Sequence, residues 1–318
     1  MKIIFLGRFN NSEILNGPEK VAKRLFGQLA LNNIKVTFIE HFFNSGQKQF
    51  LNRWLGYKVI KTNPRVLRLG ILRLFWYLIF QQPEIIHIIT AERFIIPLFY
   101  YKFLLKSKII TTLHGILKEE IPPGRISKKG NHIGRDFLLE SLIIKNSQKL
   151  VLLSQIQLNL AKKYYHIKNE NVLMIPNGVD EEFFFERKFP EIDNFLNIVF
   201  YNGIGGEIDR GLKFVLEELN NVEKKIKLFI IGSETTGQLD KIHFEVEVVK
   251  PMSLTELIEF LKDKHFILKS ITYDTFSLIV VESMAVGLIP VISGKVGLVS
   301  LIRHGENGFV YDNRIGAL

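Results

Sequence analysis

The sequence contains no cysteine, which excludes a disulfide framework, a thiolate zinc site and a cysteine nucleophile. Long apolar runs are also missing. The longest, residues 69–80, is interrupted by Arg73 and is shorter than the roughly 20 residues that a membrane-spanning helix needs. Residues 1–13 hold only a few apolar residues before Gly7 and Arg8, so they predict a first strand and not a signal peptide. We therefore expect a cytoplasmic protein, either soluble or peripheral on the inner face of the cell membrane.

Acidic residues are scarce in the first part of the chain. Residues 1–178 hold 27 Lys or Arg against 10 Asp or Glu, hence +17, whereas the remainder holds 15 against 22, hence −7. A basic half favours an anionic partner, either a phosphate-rich membrane or a nucleic acid, although a solvated basic surface explains the same charge. Because no recognised DNA or RNA module is present and the acidic half would repel a phosphate backbone, we expect no nucleic-acid partner.

Short runs rich in Ile, Val and Phe alternate with longer stretches of helical period. This alternation is typical of βα units around parallel sheets, and 318 residues favour two such domains. In the first half, strands are predicted at residues 2–6, 36–40, 85–89, 109–113, 150–153 and 172–175. In the second half, they are predicted at residues 198–201, 228–231, 244–249, 266–271 and 290–292.

Turn-forming residues mark the predicted domain boundary. Pro176, Asn177 and Gly178 lie together where the charge changes sign. We predict a Rossmann-like acceptor domain over residues 1–178 and a Rossmann-like donor domain over residues 179–318, both α/β and doubly wound. Since ligands bind beyond the carboxyl ends of parallel strands, two such edges facing one another would form a central cleft.

Two candidate site residues lie in the first predicted domain. Gly17 lies between the first strand and a helix, where a glycine lets the backbone approach a phosphate and a helix N-terminus supplies unpaired amides. Ordinary turn chemistry explains this glycine as well. His114 directly follows a buried strand, where an imidazole can orient a sugar hydroxyl or a leaving phosphate. The alternative is a purely structural histidine.

The most specific pattern lies between Tyr273 and Ser293. Asp274 follows a predicted strand, a helix is predicted to begin near Phe276, and Glu282 lies about one and a half turns into it. Asp274 is suited to accept sugar hydroxyls and Glu282 to accept ribose hydroxyls. The first amides of the helix, which have no partner within it, can bind a diphosphate; they belong to Ser277, Leu278 and Ile279. An amphipathic helix with incidental acids is the alternative.

Together these residues resemble the GT-B glycosyltransferases of family 4, also called glycosyl transferases group 1. The family motif is Glu, seven residues, Glu and then Ala-Met-Ala-x-Gly-x-Pro-Val on a helix of the donor site. Here Asp274 and Glu282 hold the acidic positions, and Ser-Met-Ala-Val-Gly-Leu-Ile-Pro-Val follows. The resemblance covers nearly the whole chain, because residues 175–180 match the hinge, His114 the catalytic-region histidine and residues 305–309 the closing Gly-x-x-Gly turn.

The resemblance implies a retaining hexosyltransferase that moves a sugar from a nucleotide-sugar donor to a glycan or lipid-linked acceptor, as in bacterial polysaccharide biosynthesis. It implies that His114 and Asp274 act at the catalytic centre and that Glu282 binds the donor. It implies neither a metal nor another cofactor, because cations and helix-end amides stabilise the leaving diphosphate instead.

The sequence also departs from the family pattern. Members place Arg after a glycine at the first strand of the second domain and Lys six residues later, whereas here Ile204 and Arg210 hold those positions. Arg210 is therefore predicted to be the main cation on the donor diphosphate. The usual Gly-Phe-Gly reads Thr-Phe-Ser at residues 275–277. These changes leave one alternative: a catalytically weakened lobe that acts as a binding or chaperone partner of another glycosyltransferase.

A single helix is predicted over residues 64–80. One side of its helical wheel is apolar and is expected to pack into the core. The other side mixes arginines with apolar and aromatic residues, which is typical of a helix in a lipid headgroup layer; they are Arg65, Arg68, Arg73, Leu69, Leu72, Trp76 and Phe80. We therefore expect an anionic membrane surface as a partner. The alternative buries both sides and leaves only the arginines exposed.

Overall fold

A computed structural model describes residues 1–10, 12–42, 50–90, 95–100, 104–120, 131–192, 194–203, 211–232, 242–269 and 273–311. The chain divides into two compact units. The first comprises Met1–Asn11 and Gly17–Ile175, and the second comprises Ser12–Asn16 and Pro176–Leu318. No helix within the described residues is long and apolar enough to cross a bilayer.

The first unit contains an eight-stranded sheet. Its strands are β1 (Lys2–Leu6), β2 (Lys35–His41), β3 (Tyr57–Lys61), β4 (Arg65–Leu69), β5 (Ile85–Ile88), β6 (Lys108–Thr112), β7 (Lys149–Leu152) and β8 (Val172–Met174). They lie in the order β3-β4-β2-β1-β5-β6-β7-β8. Only the β3–β4 pair is antiparallel among these strands.

Helices cover this sheet. They are α1 (Gly17–Leu31), α2 (Phe50–Leu55), α3 (Ile71–Gln81), α4 (Ile96–Tyr100), α5 (Leu117–Glu120), α6 (Asn131–Asn146) and α7 (Gln155–Tyr165). Because strand side chains alternate, the sheet has two apolar faces. On one face, Phe5 and Phe38 pack against Phe26 of α1; on the other, Leu67 and Leu69 pack in one cluster with α3.

The second unit contains a six-stranded sheet. Its strands are β9 (Leu196–Gly203), β10 (Ile226–Gly232), β11 (Glu245–Val249), β12 (Phe266–Lys269), β13 (Ile289–Ser293) and β14 (Phe309–Tyr311). They lie in the order β11-β10-β9-β12-β13-β14 and pair in parallel throughout. Three helices accompany them in the described residues: α8 (Leu212–Leu219), α9 (Leu254–Leu261) and α10 (Leu278–Val286). Ser253 caps α9 in a reciprocal capping box with Glu256.

The predicted strands are all present, with ends that differ from the prediction by at most two residues. Three strands were not predicted, namely β3, β4 and β14. β14 is short and follows the turn at Gly305, whose φ is +81°. A Cβ on Gly308 would lie 2.5 Å from Pro290, so the turn packs directly against β13.

The predicted single helix over residues 64–80 is wrong in its first part. Residues 65–69 form β4, and α3 begins only at Ile71. Gly70 lies between the two elements. A Cβ at this position would lie 2.5 Å from the backbone carbonyl carbon of Trp54, so the chain here packs closely against α2. In the strand, Leu69 is buried, and Arg68 donates from Nε to Glu40 Oε1 over 2.6 Å. Leu69 and Arg68 therefore do not belong to the exposed surface that the helical wheel predicted.

Candidate functional site

The carboxyl edge of the second sheet carries the acidic motif. Asp274 follows β12 and precedes α10, and it forms an isolated parallel bridge with Val296. Its N–H donates to the carbonyl of Lys295 over 3.4 Å, and its carbonyl accepts from the N–H of Gly297 over 2.8 Å. The backbone of Asp274 is therefore fixed beside the segment that leaves β13.

The Asp274 carboxylate has a protein partner on each oxygen. Oδ1 accepts the N–H of Phe276 over 3.2 Å, and Oδ2 lies 3.2 Å from Nζ of Lys269. The Lys269 side chain is only 2% exposed, and its ammonium lies 5.3 Å from the centre of the Tyr201 ring. A buried ammonium requires such partners, so Lys269 orients the carboxylate. The sequence analysis does not predict Lys269, although a single lysine within an apolar strand is a signal of a buried polar contact.

The start of α10 presents unpaired donors. The helix begins at Leu278, two residues later than predicted, because Asp274 takes the N–H of Phe276. Ser277, the N-cap residue, has the left-handed φ of +66°, and its buried Oγ has no hydrogen-bond partner in the described residues. Among the residues that the structure describes, the amides of residues 277–279 have no hydrogen-bond acceptor. A row of free N–H groups at a helix N-terminus attracts anions.

Glu282 lies one turn inside α10 and is fully buried. The helix is apolar on several sides, and it packs against β12, β13 and the short 3-10 helix Glu181–Phe183. Removing the Glu282 side chain would create a cavity, so only an isosteric change tests its chemistry.

A second unpaired polar atom lies along the same sheet edge. Asn202, near the end of β9, is buried, and its Oδ1 has no hydrogen-bond partner among the described residues. Because β9 pairs with β12, Asn202 lies next to the strand that ends in Lys269. Ile204 and Arg210 both lie outside the described residues, so the predicted role of Arg210 stays a prediction.

His114 belongs to a loop of the first unit that is fixed at both ends. The carbonyl of Leu113 accepts the Nε2–H of buried Gln157 over 2.8 Å, and the N–H of Leu117 donates to Glu140 over 3.2 Å. Burial raises the pKa of the Glu140 carboxyl, and a hydrogen bond from Tyr165 opposes that shift. A Cβ on Gly115 would overlap the Glu120 carboxylate, which would have to shift to accommodate it.

The imidazole of His114 has one occupied and one unpaired nitrogen. A backbone hydrogen bond joins it to Ile89, while Nε2 is buried without a partner among the described residues. Burial lowers the pKa of His114 to about 4. The pKa of His87, which bonds Thr112 over 2.8 Å, is also lowered to about 4 by burial and then by nearby His114. Both rings are therefore neutral near pH 7 and can donate or accept a hydrogen bond.

The predicted site residues fall into two groups. The motif residues Asp274 to Glu282 come together around the start of α10 in the second unit. His114 and Gly17 lie in the first unit, where Gly17 is the first residue of α1. Gln157, Glu140 and His87, which hold or adjoin the His114 loop, were not found from the sequence, because their partners are distant in the chain.

Two protein-family descriptions match the chain, one in each of its two parts. The family described as Glycosyltransferase Family 4 matches residues 15–183, which is more than half of the chain. The chain belongs to glycosyltransferase family 4. The family described as Glycosyl transferases group 1 matches residues 197–317. No curated protein sequence matches the chain.

Solved structures confirm the GT-B fold of this family 4 chain. Sucrose-phosphate synthase from Thermosynechococcus elongatus has a TM-score of 0.72 at 14% identity, with 99% of this chain and 86% of that chain covered. Anabaena HepE in complex with UDP and glucose has a TM-score of 0.66 at 15% identity, with 98% and 86% covered. The lipopolysaccharide outer core galactosyltransferase WaaB has a TM-score of 0.69 at 15% identity, with 98% and 86% covered.

Proposed function

We propose that this glycosyltransferase transfers a hexose from a nucleoside-diphosphate sugar to a glycan or lipid-linked saccharide, with retention of anomeric configuration. The observation that carries this proposal is the row of amides and the Ser277 hydroxyl at the start of α10, which have no partner among the described residues and lie beside the Asp274 carboxylate. These donors suit the two phosphates of the donor, and the carboxylate suits the hydroxyls of its sugar. HepE, a structural relative, was solved with UDP and glucose.

Each side chain has a distinct role in this proposal. Glu282 accepts the ribose hydroxyls, and Arg210 neutralises the diphosphate. Lys269 holds the Asp274 carboxylate towards the sugar. His114 supports the proposal through its buried Nε2, which has no partner in the described part of the chain and suits a sugar hydroxyl. Gly17, at the start of α1, allows the donor phosphates to approach the backbone.

The transfer proceeds by front-face attack. The bond between the anomeric carbon and the leaving phosphate oxygen breaks, and the acceptor oxygen bonds to the same carbon from the same face. The acceptor proton passes to the departing phosphate oxygen, so no protein base is required. The protein contributes orientation and electrostatic stabilisation of the diphosphate. Helix-end amides and Arg210 supply that stabilisation without a metal ion.

The occupied carboxylate of Asp274 favours a second candidate function. Because both of its oxygens already have protein partners, Asp274 offers a sugar fewer free lone pairs than an unpaired carboxylate would. A lobe weakened in this way would bind or support another glycosyltransferase without transferring sugar itself.

One experiment separates the two functions. UDP-, GDP-, ADP- and dTDP-sugars are screened by thermal shift, and nucleoside diphosphate release is then measured for the donor that stabilises most. Ligand at 100 times its dissociation constant should add about 2.7 kcal/mol to the free energy of unfolding. Release above the buffer rate supports the enzyme. Stabilisation by a donor whose diphosphate is not released, even after glycan acceptors are added, favours the binding partner, and a protein that no donor stabilises would contradict the enzyme.

A further inference from the structure

A stripe of large apolar side chains lies exposed on α3. Leu72, Trp76 and Phe80 recur every fourth residue, so they share one side of the helix. Trp76 is 54% exposed and Phe80 is 76% exposed, and their rings stack with centroids 5.9 Å apart. The opposite side of the helix, with Leu74 and Leu78, is buried in the core. The core of the unit is therefore packed by the opposite side of α3 and does not include the stripe.

Neighbouring elements extend the stripe into a surface. Trp54 and Leu55 of α2 and Tyr57 and Val59 of β3 are also exposed. Arg73 connects them, because its Nε donates to the carbonyl of Leu55 and its guanidinium lies 5.7 Å from the centre of the Tyr57 ring. Arg65 of β4 reaches the hydroxyl of the same tyrosine over 3.4 Å. Packing and hydrogen bonds thus hold these apolar groups and two arginines together.

The segment of the chain that forms this surface carries charge of one sign. Between Glu40 and Glu84 the sequence contains seven Lys or Arg and no Asp or Glu. Arg68 is paired with Glu40, whereas Arg65 and Arg73 are exposed. A segment with basic but no acidic residues favours an anionic partner. A second copy of this chain would bring like charges face to face, so self-association is disfavoured.

We propose that this surface docks on an anionic lipid bilayer. The docking surface consists of Trp54, Leu55, Tyr57, Val59, Leu72, Trp76 and Phe80, with Arg65 and Arg73. Aromatic rings of this kind insert at the headgroup level, and arginines bind lipid phosphate while their stems lie along apolar surface. The docking does not depend on the donor chemistry proposed above. It would hold the protein beside an acceptor that is itself anchored in lipid.

The chain provides its own reporter for this proposal. It contains two tryptophans, Trp54 and Trp76, and both belong to the docking surface. Vesicles of phosphatidylcholine, with and without phosphatidylglycerol, are added to the unmodified protein while tryptophan emission is recorded. A blue shift with the phosphatidylglycerol vesicles, reversed by high salt, is the expected result. An unchanged spectrum with both vesicles would overturn the proposal.

Co-sedimentation with the same vesicles measures how much individual side chains contribute to membrane binding. Trp76→Ser with Phe80→Ser should abolish most pelleting, and Arg65→Gln and Arg73→Gln should each lower the partition coefficient about fivefold. Arg65→Lys should retain it. Matched controls are the equally exposed Leu31→Ser with Phe184→Ser, and Lys224→Gln with Lys250→Gln, all outside the surface. The circular dichroism melt of each variant verifies folding, and Arg65→Gln keeps the test valid if the double variant unfolds.

Two further outcomes would overturn the proposal. Equal pelleting of the wild type and all surface variants would place the membrane contact elsewhere. A concentration-dependent increase in mass that Trp76→Ser with Phe80→Ser removes, without any pelleting, would identify a second copy of this chain as the occupant.

Discussion

Nζ of Lys269 lies 3.2 Å from Oδ2 of Asp274, at the carboxyl edge of the second sheet. The lysine comes from β12, and the aspartate is the first acidic residue of the family motif. The pair therefore links a buried cation of the sheet to the group that we assign to the donor sugar. Removing either partner deprives the other of a stabilising interaction. The free-energy cost of removing one residue therefore depends on whether the other is present.

A double-mutant cycle on unfolding free energy tests this coupling. Lys269→Met and Asp274→Asn are each expected to destabilise the protein, with an interaction energy of about 1 to 3 kcal/mol between them. The exposed pair Lys213 and Glu217, whose charged atoms lie 3.8 Å apart, serves as the control. Its coupling should stay at about 0.5 kcal/mol or less. Equal coupling in the two pairs would show that Lys269 does not hold Asp274.

Ser277 is expected to lower the free energy of unfolding and to strengthen donor binding. Its φ of +66° is strained for a residue with a Cβ, and its Oγ is buried without a partner in the described residues. Ser277→Gly removes both costs, so the free energy of unfolding should rise by about 1 kcal/mol. If the hydroxyl binds donor phosphate, the same variant should bind the donor more weakly.

Ser277→Ala separates the two effects, since it removes the hydroxyl but keeps the Cβ. It should lose donor affinity as Ser277→Gly does and gain less stability. Chemical denaturation and isothermal titration measure the two quantities. A glycine variant that is both less stable and unchanged in affinity would contradict the role assigned to this residue.

Much of the fold follows from the sequence, because buried parallel strands are short apolar runs that need no distant information. The hairpin of β3 and β4 was missed for the opposite reason. Residues 65–80 carry apolar residues at a helical spacing, and what ends the strand at Gly70 is a close approach to Trp54 from another part of the chain. Sequence spacing contains no trace of that contact.

The candidate site, like the fold, was predicted from the sequence only in part. Asp274 and Glu282 were found because their spacing belongs to a family motif. The complete burial of Glu282 and the partner of Lys269 depend on neighbouring strands and helices. The orphan Nε2 of His114 likewise depends on the packing around its loop. Such contacts between elements had to come from the structure.

Buried His87 and His114 should make the stability of the protein depend on pH. Burial holds the pKa values of His87 and His114 at about 4 in the folded chain, whereas the unfolded value is about 6.5. The unfolded state therefore binds more protons between these values, and stability falls as pH falls from about 6.5 to 4. Each histidine contributes at most about 1.4 kcal/mol per pH unit.

Urea denaturation at several pH values measures this slope. His87→Gln should flatten the dependence in that window, and His114→Gln should do the same. The exposed His243→Gln is the matched control and should leave the slope unchanged. A slope that neither substitution changes would assign the acid sensitivity to other groups.

Arg210 is expected to be the main cation on the donor diphosphate. Arg210→Ala should lower kcat/KM by about 1.5 to 3 kcal/mol of transition-state stabilisation. Because amides and this arginine stabilise the leaving group in our proposal, EDTA should not change the transfer rate. A rate that EDTA abolishes and magnesium restores would require a metal in the mechanism, and unchanged kinetics of Arg210→Ala would transfer its role to another residue.

Titration of the donor against Glu282→Gln tests the central claim most directly. The substitution keeps the shape of a buried side chain but removes its charge, and the exposed Glu259→Gln is the control in the same unit. The account predicts that one nucleotide sugar binds the wild type and Glu259→Gln equally, and binds a folded Glu282→Gln roughly ten- to a hundredfold more weakly. Equal affinity of all three proteins, or no binding of any nucleotide sugar to the wild type, would contradict it.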